Sequence, residues 1–404
     1  MPSQPPPPSP THLLRSHAAP VNAVHFSDDN ERLYSGDASG LVVVTSTRTL
    51  RALASWKAHV DGILGVQEWN EQILTHGRDN KLHVWERIQD SYPMLGDSAV
   101  GLDLPTPKLC YSMDVNALNY CRFSLLPVTD ESTSKQSALI ALPNLVESSL
   151  ADIWQLPERQ RLHAAIGKAG ATSAAVDGRG PNSIEGIIMS MHLFLMPHPH
   201  LSERSQLRLM CAYENGSVTM WANTRTDKET SVEGVGWDSL WSAKLHVESV
   251  MAMAVSKDNR IALTVSADHL IGQYDIQAAE NLELKDTACK PHRTKVPGNG
   301  AVAIRDDGKV CAVGGWDGKI RLYSVKTLKP LGTLDYHKKN CQSLAFARSS
   351  SLRSGAAGTT SRSAEDSEDE MTDEEKEERC RWLAAGGYDH RVSIWALIDF
   401  QSKS

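Results

Sequence analysis

Four histidines in this chain are each followed by an aspartate, and that pairing is where chemistry would first be sought. His59, His246, His292 and His337 precede Asp79, Asp268, Asp317 and Asp389 by 20 to 52 residues. An imidazole beside a carboxylate is the outline of a general acid–base dyad. One active site needs one such pair, however, and four pairs in four separate stretches cannot serve one substrate. The repetition also has a strict phase, because each Asp lies six residues before an aromatic: Trp85, Tyr274, Tyr323 and Trp395. The pattern therefore predicts a structural link in which the carboxylate accepts from the imidazole, which reaches a hydroxyl and an indole N–H and ties strands together.

Other chemistry-bearing stretches fall short. Gly167–Thr172 has phosphate-loop ingredients but lacks the GxxxxGK[ST] order. His198-Pro199-His200 has no further ligands at metal spacing and is expected to be a loop. The seven cysteines are odd in number, scattered and without a CxxC pair, so reduced thiols in an intracellular protein are expected rather than a disulfide framework. No catalytic residue, cofactor or metal site is expected. A net charge of −7 with no Lys/Arg block argues against direct nucleic-acid binding. The longest apolar run, Ile187–Met196, is broken by Ser190 and His192 and is too short to cross a bilayer. Neither a membrane nor a small-molecule substrate is implied.

The elements that must position these residues are turn-then-strand units. Gly77–Trp85 reads GRDNKLHVW: a polar turn, then Leu82 and Val84 alternating with Lys81 and His83 as in a half-buried strand. The layout returns at Gly315–Tyr323, Gly387–Trp395 and, more loosely, Ser266–Tyr274. Weaker copies close at Thr45, Trp154 and Trp221; the first has Ser39 in place of the turn Asp, and the fourth has Asn215. Seven units of several strands at this period predict an all-β, seven-bladed β-propeller. A single blade cannot bury its faces, so the ring must close, and the extra strand Thr11–Arg15 is placed to pair with the last blade. Residues 1–10 (MPSQPPPPSP) form a Pro-rich tail, and 11–404 form a single propeller. Within it, about 348–381 is an insertion expected to be disordered, since ten acidic side chains and one Lys fall between Ser363 and Glu378.

The His…Asp-x5-Trp/Tyr pattern resembles the WD-repeat family. The stretches HAAPVNAVHFS, WKAHVDGILGV, ALPNLVESSLADIWQLP and LAAGGYDHRVSIWAL are similar to the fungal ASTRA-associated protein 1 family within it. That resemblance implies a nuclear, non-enzymatic scaffold: a WD-repeat subunit of the ASTRA complex, linked to chromatin remodelling and to maturation of phosphatidylinositol-3-kinase-like kinases. Its partners would be protein subunits of that complex and kinase-maturation factors. Mapped by motif, the positions facing a partner are Arg78, Trp316 and Tyr388, joined by Asn22, Asn116, Met251 and Gln342. Ser363, Ser367 and Thr372 have an acidic residue three positions later, the context of acid-directed kinases. Two other classes are weighed: a ubiquitin-ligase substrate-recognition subunit or histone-tail reader, and an enzyme with an unrecognised site. The first lacks its WDxR triplet, and the second lacks one convergent acid, base or metal group.

Overall fold

Alternation of apolar and polar residues sets the strands. In Lys81–Glu86, Leu82 and Val84 are buried while Lys81 and Glu86 face solvent. The computed structural model describes residues 8–88, 104–118, 120–129, 136–168, 185–198, 201–225, 228–281, 283–349 and 372–398. They form seven four-stranded antiparallel sheets, each a blade whose strands follow in chain order except in the last. Blade 1 starts with Val21–Phe26, blade 2 with Ile63–Trp69, blade 3 with Ser124–Thr129 and blade 4 with Ile188–His198. Blades 5, 6 and 7 start with Val250–Val255, Asn299–Ile304 and Cys341–Phe346. Each of the seven closing positions read from the sequence falls in the third strand of its blade.

Closure occurs through the N-terminal segment. His12–Leu14 pairs antiparallel with Val392–Ile394 and becomes the outer strand of blade 7. The Thr11 N–H donates to the Ile394 carbonyl at 2.8 Å, and the Ala396 N–H donates to the Thr11 hydroxyl at 3.0 Å. The extra strand is therefore part of the ring, and it ties the first described segment of the chain to the last.

The core is divided among the seams. Seven apolar clusters each combine residues of two neighbouring blades. One joins Met210 and Met220 of blade 4 to Val250, Ala262 and Tyr274 of blade 5. The closing seam, with Leu14, Val21, Val24, Trp382 and Ile394, is built like the others. Burial of this kind stabilises by roughly 25 cal/mol per Å² of apolar surface, so no blade is stable apart from its neighbours.

Residues 350–371, which hold most of the acidic insertion, lie outside the described residues, as do residues 1–7 of the Pro-rich tail. The end of the insertion, where no regular structure was expected, is a short helix, Asp373–Arg379. Thr372 caps it: its hydroxyl accepts from the Glu375 N–H while the Glu375 carboxylate accepts from the Thr372 N–H. That reciprocal arrangement satisfies two end donors despite the like charges along the helix. Arg379 anchors its last turn by lying 5.0 Å over the Trp382 ring.

Leu14→Ala tests the closure. It removes buried apolar surface only at the seam made by the extra strand, and it should cost about 2–4 kcal/mol in denaturant unfolding. A change below about 0.5 kcal/mol would show that the strand is not part of the folding unit.

Candidate functional site

The linkers between blades and the turns joining second to third strands share one face, called here the upper face. On it the His and Asp residues meet. In blade 2, His59 Nδ1 lies 2.8 Å from Asp79 and Nε2 lies 2.9 Å from the Thr75 hydroxyl, which accepts from the Trp85 indole N–H at 2.8 Å. Blade 7 repeats this with His337, Asp389, Ser393 and Trp395 at 2.9, 2.8 and 2.9 Å. In blade 5, His246 sits 3.1 Å from Asp268 and 2.8 Å from Thr264, whose hydroxyl is 3.3 Å from that of Tyr274.

Proton positions in blades 2 and 7 follow from donor inventories. An indole N–H only donates, so the hydroxyl must accept from it and has its own proton left for the imidazole. Nε2 therefore accepts, Nδ1 carries the proton, and the carboxylate accepts from it. Burial lowers the pKa of His59 and outweighs the opposing pull of Asp79. Burial acts to raise Asp79, but the Val60 N–H and His59 hold it below its ordinary value. Glycine makes room for the link: a Cβ on Gly77 or Gly387 would collide with the imidazole and the carboxylate.

One sequence expectation needs correction, and one blade carries a link that the spacing did not assign. Asp317 is not paired with His292. Its carboxylate instead takes the Arg321 guanidinium at 2.6 and 3.1 Å, while His292 lies on the blade 5 outer strand with its ring 6.2 Å from Tyr323. The spacing misled because blade 6 has Lys295, not His, two residues beyond that strand. Blade 1 is the converse. Ser39 is not the acceptor there, yet the link is complete, because Asp37 at the end of the second strand meets His17 at 2.9 Å and His17 reaches Ser35 at 2.7 Å. Asp37 also accepts from the Ser39 N–H and hydroxyl, and these bonds with His17 outweigh its burial and bring its pKa down to about 2. The signal was a hydroxyl ten residues before the closing position, shared by Ser35, Thr75 and Thr264.

All four links join an inter-blade linker to the blade it enters, rather than only strands within one blade. They lie in four different sheets and converge on no cleft. His59, Asp79 and His83 bring ligand atoms within 4.8 Å of one another, but both His59 nitrogens are already bonded and His83 Nδ1 is 2.7 Å from Ser112. A cation would have to break the blade 2 link.

The residues mapped as partner-facing divide into three sets. Arg78, Asn22, Met251 and Gln342 line one cavity of about 370 Å³ at the upper mouth of the central channel. Trp316 and Tyr388 are about two-fifths exposed and do not line it; the indole of Trp316 covers Gly298 and Gly300, the second of which is part of the cavity wall, and the Lys339 ammonium lies 5.4 Å over the Tyr388 ring. Asn116 is buried, not surface-exposed. It occupies the position that His holds in other linkers, donating to the Asn144 carbonyl and accepting from Ser148 at 3.2 Å. Of the candidate modification sites, Ser363 and Ser367 lie outside the described residues, and Thr372 is the exposed helix cap. Sequence reasoning missed Tyr120 and Arg122, which share the channel mouth and sit in a linker with no repeat signature.

A ring of seven such blades with these links defines a WD-repeat β-propeller, and the family model "WD domain, G-beta repeat" matches residues 8–45 and 288–324. ASTRA-associated protein 1 of Verticillium alfalfae is 32% identical, covering 97% of this chain and 93% of its own length. The Penicillium rubens protein of that name is 31% identical, with 97% and 98% covered. Guanine nucleotide-binding protein subunit beta-like protein 1 of Mus musculus is 25% identical over 97% of each chain. This chain belongs to the ASTRA-associated protein 1 family.

Two tests follow. His17→Ala and Asp79→Ala should each destabilise by about 1–3 kcal/mol, since each leaves buried partners unpaired. Equal tolerance of His17→Ala and a surface substitution would remove blade 1 from the set. Other buried histidines should add to the acid sensitivity that the lowered His59 confers. Loss of hydration holds His76 at about 3 and His163 at about 4, below the usual 6.5. The unfolded chain then binds protons that the folded chain refuses. Stability should fall as pH drops below about 6.5, by about 1.4 kcal/mol per pH unit for each residue until its folded pKa is reached. Thermal midpoints at about pH 7 and about pH 5 check this; His163→Gln should shrink the difference.

Proposed function

We propose that this chain is a non-catalytic scaffold subunit of the ASTRA complex, acting in the nucleus and holding protein subunits through its upper face. The carrying observation is similarity to ASTRA-associated protein 1 from several fungi over nearly the whole of both chains. Non-catalytic action is supported by the dispersal of the His–Asp links: each is consumed by its own blade, with a hydroxyl on the second imidazole nitrogen and, in blades 2 and 7, an indole on that hydroxyl. The family resemblance extends the reading to chromatin remodelling and to assembly of phosphatidylinositol-3-kinase-like kinases.

The upper face suits docking. Apolar side chains follow the buried linker histidines into solvent: Val60 after His59 and Val247 after His246 are each about four-fifths exposed. Trp316, Tyr388 and Arg78 add residue types that dominate protein interfaces. A reader of lysine-rich histone tails is disfavoured, because the channel mouth is lined by arginines and no carboxylate.

Affinity purification from nuclear extract with mass spectrometry should recover ASTRA subunits with the unmodified chain. The combined variant Arg78→Ala, Trp316→Ala, Tyr388→Ala should keep its circular dichroism and unfolding midpoint while losing at least about 10-fold in capture, the expected scale for interface anchors. Recovery of no ASTRA subunit by the unmodified chain would refute the assignment, and full capture by the folded variant would move the interface off this face.

A further inference from the structure

The two ends of the central channel differ in charge. At the lower end, basic groups face acids: Arg348 lies 3.1 Å from Asp28 and 3.7 Å from Asp306, and Lys257 lies 3.9 Å from Asp306. At the upper mouth, Arg78 and Arg122 line the same cavity, and no Asp or Glu lines it. Neither guanidinium has an ion-pair partner among the described residues. In a chain of net charge −7, two uncompensated arginines on one concave surface are conspicuous.

Both are held rather than free. The Arg78 guanidinium lies 5.0 Å over the face of Tyr120. A guanidinium on a ring face keeps the N–H groups of its own plane available, in the fork that matches a carboxylate. Arg122 donates from Nη2 to the Asn22 carbonyl at 2.9 Å, a bond from blade 3 to blade 1 that leaves most of its five donors unused. Surrounding protein lowers the Arg122 pKa from its ordinary value, yet an arginine stays cationic under any physiological condition. Tyr120 and Met251 are both partly exposed beside these charges and add apolar contact. Asn22 and Gln342 complete the rim.

We propose that the upper channel mouth is the docking site for an acidic peptide segment of a partner protein, its carboxylates taken by Arg78 and Arg122 and its apolar side chains packed on Tyr120 and Met251. This rests on the upper face being the docking face, and it names the partner chemistry that the face selects. Trp316 and Tyr388, outside the cavity, serve other contacts.

The test is fluorescence anisotropy with the purified full-length chain and a fluorescein-labelled peptide alternating Glu with Leu, against a counterpart with Lys for Glu. The Glu peptide should bind at least about 10-fold tighter, with affinity falling as salt rises. Arg78→Glu, at an exposed position, should weaken it by a further factor of about 10 or more, and Arg122→Gln should also weaken it. Leu331→Ala, at an exposed position on the outer strand of blade 6, should leave it unchanged. Equal binding of the two peptides would overturn the proposal, as would an Arg78→Glu chain that is folded and unaffected. An oligouridylate of matched charge binding as tightly as the Glu peptide would overturn it too. Absent charge selectivity with ASTRA subunits still captured sinks this inference alone. Selectivity without that capture sinks the complex assignment and leaves the site standing.

Discussion

The hydrogen bond from a linker imidazole to a turn aspartate is the constraint on which the ring depends. Seam burial is non-directional: apolar clusters favour stacking of sheets without fixing how one sheet follows another. The links into blades 1, 2, 5 and 7 supply that direction, pinning the segment that leaves one sheet to the turn between the second and third strands of the next and to the strands flanking it. A buried donor or acceptor left unpaired costs more than the bond contributes, so each link excludes alternative docking angles as much as it stabilises the observed one. The blade 1 link does most for closure. His17 lies directly between the extra strand of blade 7 and the first strand of blade 1, so the residue that fixes blade 1 also holds the end of the ring.

Where these links are absent, other chemistry fills the same space. Blade 3 puts Asn116 in the histidine position and joins it through Asn144 to the buried Asp152, 2.9 Å from the Asn144 amide. Blade 6 uses the Arg321 fork on Asp317. Turn backbone follows the same economy: at Gly318 φ is +80°, and a side chain would run into the His337 carbonyl of the next linker. The repeat is therefore a set of equivalent positions that tolerates different residues, provided the buried polar groups at the link itself find partners.

That tolerance explains what the sequence made legible. Blade number, phase and closure were readable because seam burial imposes the alternation at every repeat and a closing aromatic at all but the first, which closes at Thr45. The links of blades 2, 5 and 7 were readable because Asp sits in its usual turn position. Asp37 was not, because moving the carboxylate two residues back onto the strand breaks the spacing while preserving the contact. His292 misled for the opposite reason: correct spacing with the ring on the wrong side of the linker. Arg122 and Tyr120 could not be found by periodicity at all, since a channel mouth is assembled from linkers of different blades. Their meaning appears only when charge is summed over a surface: the mouth is cationic although the chain is acidic.

If the links hold shape and perform no acid–base chemistry, their proton positions should be fixed. Nitrogen-15 NMR of selectively histidine-labelled protein, with His59 and His337 assigned by substitution, measures this directly. Both rings should carry a proton on Nδ1 with Nε2 as the acceptor, and His59, whose pKa burial lowers, should gain no second proton near pH 6.5 while the protein is folded. A proton on Nε2 in place of Nδ1 at either ring, or titration of His59 near that value in the folded protein, would contradict the account.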